Sequence, residues 1–128
     1  MYCLDTNIII DFFRGDELII RKLSKLQEET YFITVITLCE LYKGVYLSNN
    51  PDYNLKLVES FLDSVEVINF NNKSCKEFGN IFSKVRKGGK SVDEIDLMIA
   101  SIVKSNNLVL ITRNRKHFEH SGISFKIW

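Results

Sequence analysis

Four short stretches carry oxygen ligands in an order and spacing that could hold a hard cation. They are LDTN (4–7), TLCELYKG (37–44), DEIDLMIAS (93–101) and LITRN (110–114). Asp5, Glu40 and Asp96 are their acids of interest. Carboxylates sharing one rim repel each other and raise their own pKa values unless a cation stands between them. With no His or Cys inside these stretches apart from Cys39, the donor set fits Mg²⁺ or Mn²⁺ better than zinc.

Each acid also has a structural explanation. Asp5 suits an N-cap, and Glu40 could form a helix ion pair with Lys43. Thr112 and Asn114 suit a turn. The Asp96 segment is the most pointed case. Ser91 and Glu94 form an S-x-x-E capping box, and Asp93 in the first turn complements the helix dipole. Asp96 is left over. At about 100° per residue it lies roughly 20° from Val103 and roughly 40° from Ala100, beside a stripe of Val92, Ile95, Ile99, Ile102 and Val103. A carboxylate at that edge is costly without a partner, either a Lys or Arg or a bound cation.

The elements that must position these residues alternate between short β-rich runs and helical patterns. Strands are expected at 2–4, 31–35, 65–68, 108–112 and 124–128, and helices at 7–14, 16–28, 38–47, 51–64, 72–86, 92–105 and 115–119. This alternation predicts an α/β fold: a central, mainly parallel sheet of about five strands with helices on both faces. In such sheets ligands sit beyond the carboxyl ends of the strands, which is where Asp5, Thr112 and Asn114 fall.

The bulk numbers fit a single globular domain over 1–128. The chain has 128 residues, 45% hydrophobic and 26% charged, with one Pro and six Gly. A net charge of +1 leaves polyanion binding to local patches. No segment has the run of about 20 apolar residues that a membrane span needs, and no signal peptide is expected. Three scattered cysteines fit reduced thiols in the cytoplasm, with Cys3 and Cys39 expected to be buried. His117 and His120 are expected on the surface.

In order and spacing, LDTN, TLCELYKG, DLMIAS and LITRNRKHF resemble the PIN-domain ribonucleases, and within them VapC-type toxins of toxin–antitoxin pairs. The resemblance implies a PIN-like fold and Mg²⁺- or Mn²⁺-dependent cleavage of RNA, of the tRNA or rRNA class, by a metal-activated water. It carries the metal-binding and catalytic roles onto Asp5, Glu40 and Asp96. Asn7, Asp93, Thr112 and Asn114 would support them; Asn114 stands where many relatives have Asp. RNA would be gripped by Lys84, Arg86, Lys87 and Lys90 before the Asp96 helix and by Arg113, Arg115 and Lys116 after the fourth strand. Implied partners are a cognate antitoxin, which alone would contact operator DNA, and a second copy in a homodimer. Phe12, Phe13, Tyr42 and Tyr46 are candidates for those contacts.

Two other readings compete. A non-catalytic PIN-fold binding module is favoured by Asn114, and a receiver-type phosphoacceptor would need an Asp at the end of the third strand. That strand reads VEVINF, which disfavours the receiver.

Overall fold

The computed structural model describes residues 1–128. It contains five strands and seven helices: β1 (Tyr2–Leu4), α1 (Thr6–Phe13), α2 (Glu17–Lys25), β2 (Tyr31–Thr34), α3 (Val35–Leu47), α4 (Pro51–Leu62), β3 (Glu66–Ile68), α5 (Asn72–Lys87), α6 (Glu94–Ser105), β4 (Val109–Thr112), α7 (Arg115–Phe118) and β5 (Phe125–Ile127). The strands form one sheet in the order β3-β2-β1-β4-β5. All four pairings are parallel, so the expected sheet is parallel throughout.

Alternation along each strand feeds two cores. Cys3 and Leu110 face a cluster built from α5, α6 and α7, with Ile81, Val85, Leu97, Val103 and Phe118. Leu4, Ile33 and Ile111 face the opposite cluster, with Ile8, Ile19, Leu41, Val45 and Val58 from the first four helices. Burial on both faces explains why β4 is an unbroken apolar run. On the α5–α6 side, the buried hydroxyls of Ser74 and Ser105 lie 2.7 Å apart and join the two helices.

The chain runs from β1 outward to β2 and β3, then crosses back to β4 and β5 on the other side of β1. The topological switch therefore lies between β1 and β4, the expected place for a ligand cleft. Both strands lead straight into polar residues there: Asp5 caps α1, and Thr112 ends β4.

The structure corrects three local expectations. Ser91 is not the cap of α6: Asp93 takes that position, accepting a hydrogen bond from the Ile95 N–H at 2.8 Å. Two overlapping cap patterns exist in SVDEID, and the later one leaves Val92 free to pack against the α5–α6 core. Asp96 consequently lies in the first turn of α6, where the helix dipole also favours its charge. Ile95, expected in the buried stripe, is exposed, and Leu97 is buried instead. Cys3 is buried as expected, but Cys39 is exposed, because α3 turns Leu41 and Val45 inward.

Candidate active site

Asp5 is held by donors from both sides of the switch point, α1 and β4. Its Oδ1 accepts the Thr6 N–H at 2.9 Å. Its Oδ2 accepts the Thr112 hydroxyl at 2.6 Å and the Asn7 side-chain amide at 3.1 Å. Two donors on Oδ2 and one on Oδ1 leave the free lone pair on Oδ1. Burial pushes the Asp5 carboxyl above the usual carboxylate range; the Thr112 and Thr6 hydrogen bonds pull it back, and Glu40 adds to the rise.

Thr112 links two residues, since it also accepts the Asn114 N–H at 3.0 Å. Asn7 uses its other end to accept the Arg113 N–H at 3.3 Å. The network therefore runs from the β4–α7 turn through Thr112 and Asn7 to Asp5. Asn114 contributes its backbone; its side chain makes no capping bond to α7.

Glu40, on α3, accepts the Thr6 hydroxyl at 2.7 Å, rather than forming the ion pair with Lys43 that its spacing allowed. Asp96 faces His117 of α7, with Oδ2 3.0 Å from Nδ1. Burial raises the Asp96 carboxyl to about 6; His117 opposes the shift, and Asp5, Asp93 and Glu40 reinforce it. The three expected acids are thus within electrostatic reach of one another, although burial outweighs their mutual repulsion.

A cleft of about 670 Å³ opens over Glu40, Asp93 and Asp96, with Lys43, Lys116 and His117 also lining it. Asp5 lies buried beside it. Lys43 and His117 were not among the expected site residues. Lys43 stands one helical turn beyond Glu40, a signal that pointed only to an ion pair. His117 is half-exposed, as a surface residue would be, but its ring reaches Asp96 because Phe118 anchors α7 in the core.

The other basic candidates divide. Arg86 and Lys90 line an adjoining depression that shares Ser91 and Val92 with the acid cleft. Lys84, Arg86 and Lys87 occupy the last turn of α5, where they complement its dipole. The Arg115 guanidinium lies 5.9 Å from the centre of the Phe125 ring. Arg113 is committed elsewhere, to Asp11 at 2.9 Å and Asp16 at 3.0 Å.

As placed, no three His, Cys, Asp or Glu side chains already form a cage for a metal ion. Glu40 is turned to Thr6 by a single hydrogen bond and Asp96 to His117 by a single close contact. The donor chemistry nevertheless fits a hard divalent cation: carboxylate oxygens, one of them buried, with no soft ligand among them. The raised pKa values of Asp5 and Asp96 are what a cation would relieve.

Residues 2–122 match the PIN domain family. The chain is 33% identical to ribonuclease VapC2 of Haemophilus influenzae, over 92% of this chain and 89% of that one. It is also 33% identical to the tRNA(fMet)-specific endonuclease VapC of Salmonella typhimurium, over 99% and 97% of the two chains. Among solved structures, VapBC2 from Rickettsia felis bound to a promoter DNA fragment superposes with a TM-score of 0.93 at 28% identity, covering 99% of this chain and 98% of that one. DNA-bound VapBC from Salmonella typhimurium gives 0.90 at 32% identity, covering 99% and 97%. The sequence match spans nearly the whole chain, and the acids at the switch point lie within it: the chain belongs to the PIN-domain family, in its VapC branch.

Proposed function

We propose that the chain is the toxin of a VapBC-type pair, an endoribonuclease that hydrolyses RNA phosphodiester bonds with Mg²⁺ or Mn²⁺ held by Asp5, Glu40 and Asp96. The observation that carries this reading is the buried Asp5 at the β1/β4 switch, held by Thr112, Asn7 and Thr6 within reach of the other two acids. Relatives named as VapC ribonucleases support the reaction class.

In this reading Asp5 offers Oδ1, while Thr112 and Asn7 keep Oδ2 occupied and fix the carboxylate plane. Glu40 and Asp96 would complete the ligand set, giving up their present contacts with Thr6 and His117. When bound, the cation supplies positive charge against the scissile phosphate and makes water a better nucleophile. Lys43 and Lys116, on the lining of the same cleft, offset the charge of the RNA backbone. His117 holds Asp96 in the absence of a cation.

The partner is an antitoxin. An apolar groove of about 340 Å³, lined by Phe13, Leu41, Val45, Leu57 and Val58 among others, meets the acid cleft at Glu40. A peptide lying there would reach the acids; VapBC relatives solved with DNA bound support a toxin–antitoxin assembly that contacts DNA, and in this reading the antitoxin makes that contact. The reading also includes a homodimer and a cytoplasmic location, the latter consistent with three free cysteines.

The test is cleavage of structured and single-stranded RNA, tRNA included, with Mg²⁺, with Mn²⁺ and with EDTA. Cleavage in either metal and none in EDTA is the expected result. Cutting that persists in EDTA would refute the metal–carboxylate mechanism. No cutting of any RNA would favour the binding module.

A further inference from the structure

Arg113 has an unusual position for a residue one step beyond the site. Its guanidinium forks between two carboxylates, with one terminal nitrogen on Asp11 Oδ2 at 2.9 Å and the other on Asp16 Oδ2 at 3.0 Å. Asp11 lies on α1 and Asp16 caps α2, accepting the Ile19 N–H at 3.1 Å. Between them the chain turns through Gly15, whose φ of +80° brings the two helices into a sharp corner. Without Arg113 two like charges would face each other across that corner. The fork is seated at a cost, because the Arg113 Nε is buried without a partner.

The same residue touches the acid site through its backbone. The Arg113 N–H donates to Asn7 Oδ1 at 3.3 Å, and the Asn7 amide donates to Asp5 Oδ2 at 3.1 Å. Its neighbours complete the frame: Thr112 donates to Asp5, and the Asn114 N–H donates to Thr112. A planar fork that binds two carboxylates fixes orientation as well as distance, which a lysine's point charge does not.

We infer that Arg113 is a positioning residue for the acid site, a clamp that bolts the β4–α7 turn to the α1–α2 corner and thereby sets the Asn7–Asp5 geometry. This rests on the metal-dependent reading above. It also removes Arg113 from the residues that grip RNA. The clamp contributes alignment without contacting the cation or the RNA.

The test measures Mn²⁺ binding to the folded protein by titration calorimetry, alongside thermal melting. Arg113→Met should weaken Mn²⁺ binding by about tenfold, the lower end for residues behind a metal ligand. Arg113→Lys should recover little of it. Asp16→Asn keeps the helix cap and removes one arm of the clamp, so it should fold and show a smaller loss in the same direction. Ser74→Ala, on the opposite face, serves as the control for general destabilisation and should leave Mn²⁺ affinity unchanged. Undiminished Mn²⁺ affinity in Arg113→Met or, should that variant not fold, in Asp16→Asn would overturn the clamp. So would an equal loss in Ser74→Ala, or full recovery by Lys. If the wild-type chain itself binds no Mn²⁺, the metal reading fails and the clamp's role with it.

Discussion

Asp5 and Asp96 belong to one site and are both raised by burial, but they are held very differently. Three donors from two elements, α1 and β4, fix Asp5. Asp96 has one polar partner, the half-exposed ring of His117. A carboxylate surrounded by donors is preorganised whether or not a cation is present. A carboxylate with a single half-exposed partner is free to change allegiance. In the proposed reading, rigidity at the strand end and freedom at the helix start suit a site that would admit both a cation and a large polyanion.

The strongest way to break that contrast is Asp5→Ala. Removing the fixed ligand should lower metal-dependent RNA cleavage by more than about 100-fold, beyond the range typical of supporting residues. Cleavage assays with Mn²⁺ in excess would show it. Activity within tenfold of wild type would shift the centre of the site away from β1.

Thr112→Val probes the donors rather than the acid. The substitution keeps the shape, removes the 2.6 Å hydroxyl bond to Asp5 and leaves the Asn114 N–H without its acceptor. A loss of about 10- to 100-fold in Mn²⁺ affinity is expected, with a stability cost of about 1–3 kcal/mol. Titration calorimetry and chemical denaturation separate the two effects.

For Asp96 the effects depend on pH. Its carboxyl titrates near 6 and must be ionised to bind a cation, so Mn²⁺ affinity should fall by up to about tenfold per pH unit below that value. Without metal the sign reverses. The folded state holds the Asp96 proton more tightly than the unfolded chain does, so this group's stabilising contribution is present at low pH and is lost as the pH rises from about 4 through 6. Asp96→Asn should therefore melt at a higher temperature than wild type above pH 6 when both are metal-free, while losing activity. Melting curves at pH 4.5 and 7.5 give the difference; a lower melting temperature for Asp96→Asn at pH 7.5 would contradict it.

His117→Ala should have the smallest effect. His117 holds the Asp96 carboxyl down against burial, so its loss should move the midpoint of the pH–affinity curve upward. Loss of all cleavage in this variant would give His117 a direct part in the chemistry.

The contrast also explains what the sequence disclosed. Asp5 was legible because a strand end followed by a capping residue is a local pattern, and the apolar run of β4 marks its neighbour. Glu40 was legible as an acid one turn into the helix expected after β2, and Asp96 as the acid of its helix that capping left unexplained. The start of α6 was not, because Ser91 and Asp93 both head acceptable capping patterns and only the packing of Val92 and Leu97 decides between them. His117 was hidden for a similar reason. Its helix has four residues, too short for periodicity, and it is oriented by the burial of Phe118. Arg113 looked like one more basic residue after the fourth strand; its two acids come from a helix corner about 100 residues away in sequence, and no local pattern connects them.

The most direct test of the account is an anomalous-scattering map from crystals of the protein soaked in Mn²⁺. The account predicts a peak bonded to Asp5 through Oδ1, with Glu40 released from Thr6 and Asp96 released from His117 to join it. A peak elsewhere, or no peak beside Asp5 in protein that cleaves RNA with Mn²⁺, would contradict it.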